Sequence, residues 1–410
     1  MTTIKLDPGA ALLLDALHGA GHAAYAVGGC VRDSLLGQAP HDWDLCTSAC
    51  PEQVMELFGE EKCIPTGLQH GTVTVKQGGR LYETTTFRIE GAYSDGRHPD
   101  AVHFVPDVRE DLARRDFTIN AMAYSAEEGL IDPFGGRDDL AAHLVRAVGE
   151  PERRFEEDAL RILRLYRFAA RFGFSVDPAT GAAARALGPH LDCVSAERIQ
   201  EEMLKLLAAP APGRYLEPAV LAVILPELHP LEEPARFAES CRVIDRLAPG
   251  AENVPARLAA LLLPLGEEGT RKALRRLKCS NALTEETAVL VRETGTSGPA
   301  ADPAVSVRRL LGRYGLTAVE RLAALGAAGH PEQAADFAAR AELARQMEAD
   351  GVCCRIAQLA VNGRDLMAAG AKPGPGLRQL LEQLLEAVIT GQVPNEKQAL
   401  LAAAAQFSAS

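Results

Sequence analysis

Gly28-Gly29-Cys30-Val31-Arg32-Asp33-Ser34-Leu35-Leu36-Gly37, followed by Asp42-Trp43-Asp44, is the stretch on which the reading of this 410-residue chain turns. A glycine pair ends an apolar run (Tyr25, Ala26, Val27) and opens an amphipathic helix over residues 31–36. Glycine lets backbone N–H groups approach a ligand closely, and a helix N-terminus carries partial positive charge, so the arrangement suits a phosphate. If residues 42–45 are extended, side chains alternate, and Asp42 and Asp44 point one way while Trp43 points the other. Two carboxylates beside a phosphate loop suit a hard divalent cation such as Mg²⁺. The stretch predicts Mg²⁺-dependent nucleotidyl transfer, with Asp42 and Asp44 as metal ligands.

Outward from this stretch, residues 63–90 alternate and are rich in β-formers. They predict a hairpin turning at Gln77-Gly78-Gly79-Arg80. A third acidic ligand is usual where two metal ions manage phosphoryl chemistry. Glu83 in the hairpin is the best candidate, although a solvent-facing strand glutamate fits it equally. Residues 91–100 have loop composition, and Arg114 to Met122 predicts the start of a helix. No strand pattern follows residue 137. Helical periodicity runs from Glu156–Arg171 and Ala196–Leu207 to the end of the chain. The fold class is therefore α+β: a mixed α/β head with a small β-sheet, then an all-α remainder.

Composition agrees. Hydrophobic residues make up 47% of the chain and aromatics 5%. The nine cysteines are scattered without paired spacing, which predicts reduced thiols and a cytoplasmic protein. No apolar run approaches the ~20 residues needed to cross a bilayer, so no membrane partner is expected. The net charge of −12 argues against nucleic acid as a partner only if basic residues are not clustered. Residues 271–278 carry five positive and no negative charges.

Gly-Gly-x-Val-Arg-Asp-x-Leu-Leu-Gly followed by Asp-x-Asp resembles the signature of the polymerase-β-like nucleotidyltransferases. More narrowly, it resembles that of the class II tRNA nucleotidyltransferase (CCA-adding) and bacterial poly(A) polymerase family. Further matches follow in the family's order at residues 110–123, 132–136, 154–169 and 197–205, so the specific motifs cover roughly half of the chain. The resemblance implies a catalytic head over 1–137, a base-recognising helical neck over 138–208, a helical body over 209–300 and a tRNA-binding tail over 301–410. In the body, Ala259-Ala260-Leu261-Leu262 continues without the His-Asp pair of HD-containing relatives, which implies a degenerate HD-like segment without phosphohydrolase activity. The basic run at 271–278 and Arg308, Arg309 and Arg313 are either RNA-backbone contacts or solvated helix faces.

Charged residues recur at 158, 161, 164 and 167. On one continuous helix each three-residue step turns back by about 60°. Asp158 and Arg161 are then neighbours, while Arg164 and Arg167 face progressively elsewhere. An isolated helix would use such a row as a ladder of ion pairs. In the resembling family the same helix is a protein template for CTP and ATP. Cytosine and adenine each present an exocyclic amine beside a ring-nitrogen acceptor, whereas uracil and guanine present a carbonyl beside N–H. A carboxylate accepts from the amine and a guanidinium donates to the ring nitrogen, so Asp158 and Arg161, next to Glu157, would select C and A. The resemblance further implies that Gly28, Gly29, Arg32, Arg115, Arg164 and Arg167 hold the triphosphate. Asp116 and Asn120 either contact the ribose or order the head. The expected partners are tRNA, CTP and ATP. Poly(A) or A-only addition by the same chemistry is the alternative, with an inactive RNA-binding module a third reading.

Overall fold

The computed structural model describes residues 3–91, 102–296 and 302–407; most of the 91–100 segment, expected to be a loop, lies outside them. The chain divides into two compact units, residues 1–236 and 237–410.

In the first unit, α1 (Pro8–Gly19) leads to β1 (Ala24–Val27), α2 (Gly29–Leu35), β2 (Leu45–Thr47) and α3 (Pro51–Phe58). Then come β3 (Cys63–Gly67), β4 (Thr72–Gln77), β5 (Arg80–Thr86), β6 (Arg88–Glu90) and β7 (Val102–Phe104). They are followed by α4 (Val108–Ala113), β8 (Ala123–Ser125), β9 (Gly129–Ile131) and α5 (Gly136–Ala141). The remaining elements are β10 (Leu144–Val145), α6 (Pro151–Glu157), α7 (Leu160–Phe172), β11 (Ser175–Val176), α8 (Pro178–Ala186), α9 (Ala196–Leu207) and α10 (Pro218–Ile224). Seven strands form one sheet in the order β3-β4-β5-β2-β1-β8-β9. Its β2–β5 pair is parallel and its other pairs are antiparallel. One face packs Tyr25, Val27, Cys46 and Phe87 against Val108 and Leu112 of α4. The expected β4–β5 hairpin is present, and Gly78 and Gly79 at its turn both have positive φ, the conformation a two-residue turn demands.

Four local expectations change. The β2 strand begins at Leu45, after the two aspartates. Residues 114–122 do not start a helix: α4 ends at Ala113, and only Thr118–Asn120 makes a 3-10 turn. The Asp116 carboxylate takes the N–H of Phe117, and Phe117 bridges to Ala147, which holds the segment open. Residues 156–171 form two helices, because Asp158 is extended (φ −148°, ψ 103°). Finally, β10 and β11 form a short parallel pair beyond residue 137.

The second unit is helical among its described residues: α11 (Pro234–Arg246, which begins before the division), α12 (Val254–Leu262), α13 (Gly266–Arg276), α14 (Asn281–Thr296) and α15 (Pro303–Tyr314). Then follow α16 (Leu316–Gly329), α17 (Ala334–Ala349), α18 (Gly363–Ala368), α19 (Pro375–Ile389) and α20 (Lys397–Phe407). Every residue of α12 is buried. Separate apolar clusters lie around α15 to α17 and around α18 to α20. Two residues of the basic run are paired: Arg271 with Glu267, Glu268 and Glu285, and Arg275 with Glu285. Likewise Arg309 pairs with Glu386, and Arg308 donates to the Ile389 carbonyl. All nine cysteines are free thiols, and no described helix is long and apolar enough to cross a membrane.

Candidate active site

Strand register gathers the glycine pair and the acidic residues at one end of the sheet. The Val27 N–H donates to the Asp44 carbonyl at 2.9 Å, and the Gly28 N–H to the Met122 carbonyl at 3.0 Å. Because Leu45 pairs with Thr84, Glu83 on β5 stands beside Asp44. The expected alternation holds: Trp43 is 5% exposed, whereas Asp42, Asp44 and Glu83 are exposed. The Asp44 carboxylate reaches solvent beside Glu83. Partial burial, then the negative charges of Glu83 and Asp42, push its pKa upward, while Arg115 opposes them.

Among the described residues Asp42 meets only the exposed His41, at 3.1 Å, and like charges crowded together in this way fit a divalent cation. However, no three His, Cys, Asp or Glu are grouped to hold one ion among the described residues. The proposed metal pair is Asp42 and Asp44, with Glu83 beside Asp44. A Mg²⁺ site of one or two carboxylates is ordinarily completed by water and substrate phosphates.

Gly28 has φ +75°, and a Cβ there would lie 2.8 Å from Arg115 Nη1. Arg115 thus lies across the glycine turn, and its Nε is buried without a hydrogen-bond partner. Its ion pair to Asp111 is 3.4 Å long. Gly28→Ala is expected to destabilise the protein by about 1–2 kcal/mol through the positive φ. It should also lower activity more than tenfold by displacing Arg115; urea unfolding and initial rates check the two effects.

The other arginines are placed differently from the sequence expectation. Arg32 is buried, donates to Asp33 and to Asn120 Oδ1, and stacks on Phe168 and Phe172. Asn120 donates to Asp116 Oδ1 at 3.0 Å, and Asp116 Oδ2 accepts from Arg164 at 2.6 and 2.9 Å. Glu202 on α9 pairs with Arg167 and lies 3.9 Å from Arg164. Arg171 returns to Asp33. This network surrounds Phe168 and ties α2 to α7 and α9. Arg32, Arg164 and Arg167 are thus each paired within the protein. Asp116 and Asn120 lie inside the same network.

Across the break at Asp158 the Arg161 N–H still donates to the Asp158 carbonyl at 3.0 Å, but the two side chains have different partners. Arg161 donates to Glu157 (2.7 Å) and to the carbonyls of Arg154 and Arg114. Asp158 accepts from the Leu160 N–H (3.1 Å) and from Arg198 on α9 (2.8 Å). The two side chains are therefore held independently, not by a shared helix face.

Residues 24–146 match the family model for the poly A polymerase head domain, and 173–231 match that for a probable RNA- and SrmB-binding site of polymerase A. Residues 252–404 match the model for a putative tRNA nucleotidyltransferase domain 2. A CCA-adding enzyme from Limosilactobacillus fermentum is 37% identical over 404 residues, covering 96% of each chain. This chain belongs to the CCA-adding enzyme family. Another member, from Geobacillus stearothermophilus, is 37% identical over 93% of this chain and 92% of its own. The crystal structure of the Bacillus stearothermophilus CCA-adding enzyme in complex with CTP superposes with a TM-score of 0.82, at 34% identity and 98% coverage of both chains.

The sequence reading of this CCA-adding enzyme family member passed over Arg198 and Glu202, although their motif was quoted. A signal was available. On α9 the buried residues are Ile199, Met203, Leu206 and Leu207, and position 202 falls among them. A glutamate on an apolar face needs a buried cation.

Proposed function

We propose that the protein adds C, C and A from CTP and ATP to the 3′ end of tRNA, releasing pyrophosphate, in the cytoplasm. Arg115 carries this reading: a partly unsatisfied guanidinium stands over a glycine turn beside two exposed aspartates. Asp42 and Asp44 would hold Mg²⁺, which when bound would activate the RNA 3′-hydroxyl and stabilise charge on the α-phosphate during in-line displacement. Gly28 and Gly29 offer close backbone approach to the departing phosphates, and Arg115 supplies their positive charge. Asp158 and Arg161 discriminate the base edge. A wrong base would set a carbonyl against the Asp158 carboxylate and an N–H against the Arg161 guanidinium.

The test uses tRNA lacking its last three nucleotides, with Mg²⁺ and CTP alone, ATP alone or both. Addition of C, C and A followed by arrest is the expected result. A long A tail overturns it in favour of poly(A) synthesis, and no incorporation overturns it in favour of an inactive RNA-binding module. Arg115→Ala is expected to raise KM for CTP and ATP by a similar factor, roughly 10–100-fold, because phosphate contacts are common to both. A rise for only one nucleotide would assign Arg115 to the base.

A further inference from the structure

We infer that Arg198 is a positioning residue for base selection: it fixes the Asp158 carboxylate in the orientation that accepts from an exocyclic amine. The inference rests on the reading of Asp158 and Arg161 as the base-recognising pair. Asp158 sits at the kink between α6 and α7, where its own backbone is extended and no regular helix constrains the side chain. Two bonds hold the carboxylate, one at each oxygen. Oδ1 accepts the Leu160 N–H at the start of α7, and Oδ2 accepts Arg198 from α9, forty residues away in sequence.

An ionised carboxylate offers about four lone-pair sites. These two bonds leave the group able to take an amine hydrogen without releasing either partner. Local structure alone supplies only the Oδ1 bond. Without Arg198 the carboxylate is free to rotate about that anchor and to meet a different base edge. Selectivity depends on a wrong base finding its partner rigidly misplaced, so freedom here is costly. Asp158 and Arg198 are both partly accessible at the side chain (16% and 23%), so the pair borders open space rather than lying sealed in a core.

The experiment compares Arg198→Met, Arg198→Lys and Asp158→Ala with the parent protein. Incorporation of CTP, ATP, UTP and GTP is measured on tRNA ending before each added position, with kcat and KM separated and folding followed by thermal unfolding. Arg198→Met is expected to narrow the preference for C and A over U and G by at least tenfold, mainly through KM, while Arg198→Lys restores most of it. Unchanged selectivity in a folded Arg198→Met protein, alongside lost selectivity in Asp158→Ala, overturns the role of Arg198 alone. Retained selectivity in Asp158→Ala overturns the underlying reading of Asp158. If Arg198→Met does not fold, Arg198→Lys decides: parent-like selectivity supports positioning by a cation, and equal loss of activity with all four nucleotides refutes it.

Discussion

Asp44→Asn is expected to lower nucleotide incorporation at least about 1000-fold while leaving thermal unfolding unchanged or slightly raised. The loss corresponds to about 4 kcal/mol of transition-state stabilisation. The two expectations separate because the Asp44 side chain accepts no hydrogen bond from the described residues, while its backbone carbonyl is held by Val27 regardless of side chain. Partial burial raises its pKa, and its like-charged neighbours Glu83 and Asp42 raise it further. An acid whose folded-state pKa is raised costs stability when ionised at neutral pH, so the uncharged amide relieves the fold while removing the metal ligand. Single-turnover incorporation and a thermal melt on the same preparation check both halves. Parent-like activity would remove Asp44 from the chemistry, and a matching loss of stability would make it structural.

Asp116→Asn is expected to act in the reverse order, costing about 3 kcal/mol of stability and impairing activity through the fold. Removing one partner of a buried ion pair typically costs 3–5 kcal/mol. The low end applies because Arg164 keeps Glu202 nearby and is itself one-third exposed. Burial alone would raise the Asp116 pKa. Arg164 and Asn120 outweigh it and bring the carboxyl to about 2, against an ordinary 3.8. Since the folded value lies below the unfolded one, the contribution is complete above about pH 4 and is lost as pH falls toward 2. Urea unfolding at pH 7 measures the cost. Acid unfolding between pH 5 and 2 should be shallower in the variant, and identical acid transitions would contradict the assignment.

Much of the site was legible in the sequence because it depends on local pattern. The Gly28-Gly29 turn needs only a strand ending at Val27, and the alternation of Asp42, Trp43 and Asp44 needs only an extended backbone. The β4–β5 hairpin follows from Gly78-Gly79 between two alternating runs. The helical reading of residues 156–171 failed because periodicity does not report a single residue leaving the helix. Leu160 and Leu163 keep the apolar pattern in phase, while the kink at Asp158 is stabilised by Arg198 from another helix. The reading of residues 114–122 failed similarly, since Asp116 spends its hydrogen bonds on Phe117, Asn120 and Arg164 instead of permitting a helical turn.

By itself the sequence determined the chemistry at the head of this protein: a glycine turn, paired carboxylates and arginines at set spacings, each a matter of residue type and short-range geometry. Which arginine lies over the glycine turn was decided only in the tertiary structure. Arg32, Arg164 and Arg167 look as available in the sequence as Arg115, but their carboxylate partners are Asp33, Asp116 and Glu202, two of which are brought to them by chain folding from dozens of residues away. A buried cation must be paired, so the folded chain consumes those charges in its own scaffold and leaves Arg115 over the glycine turn.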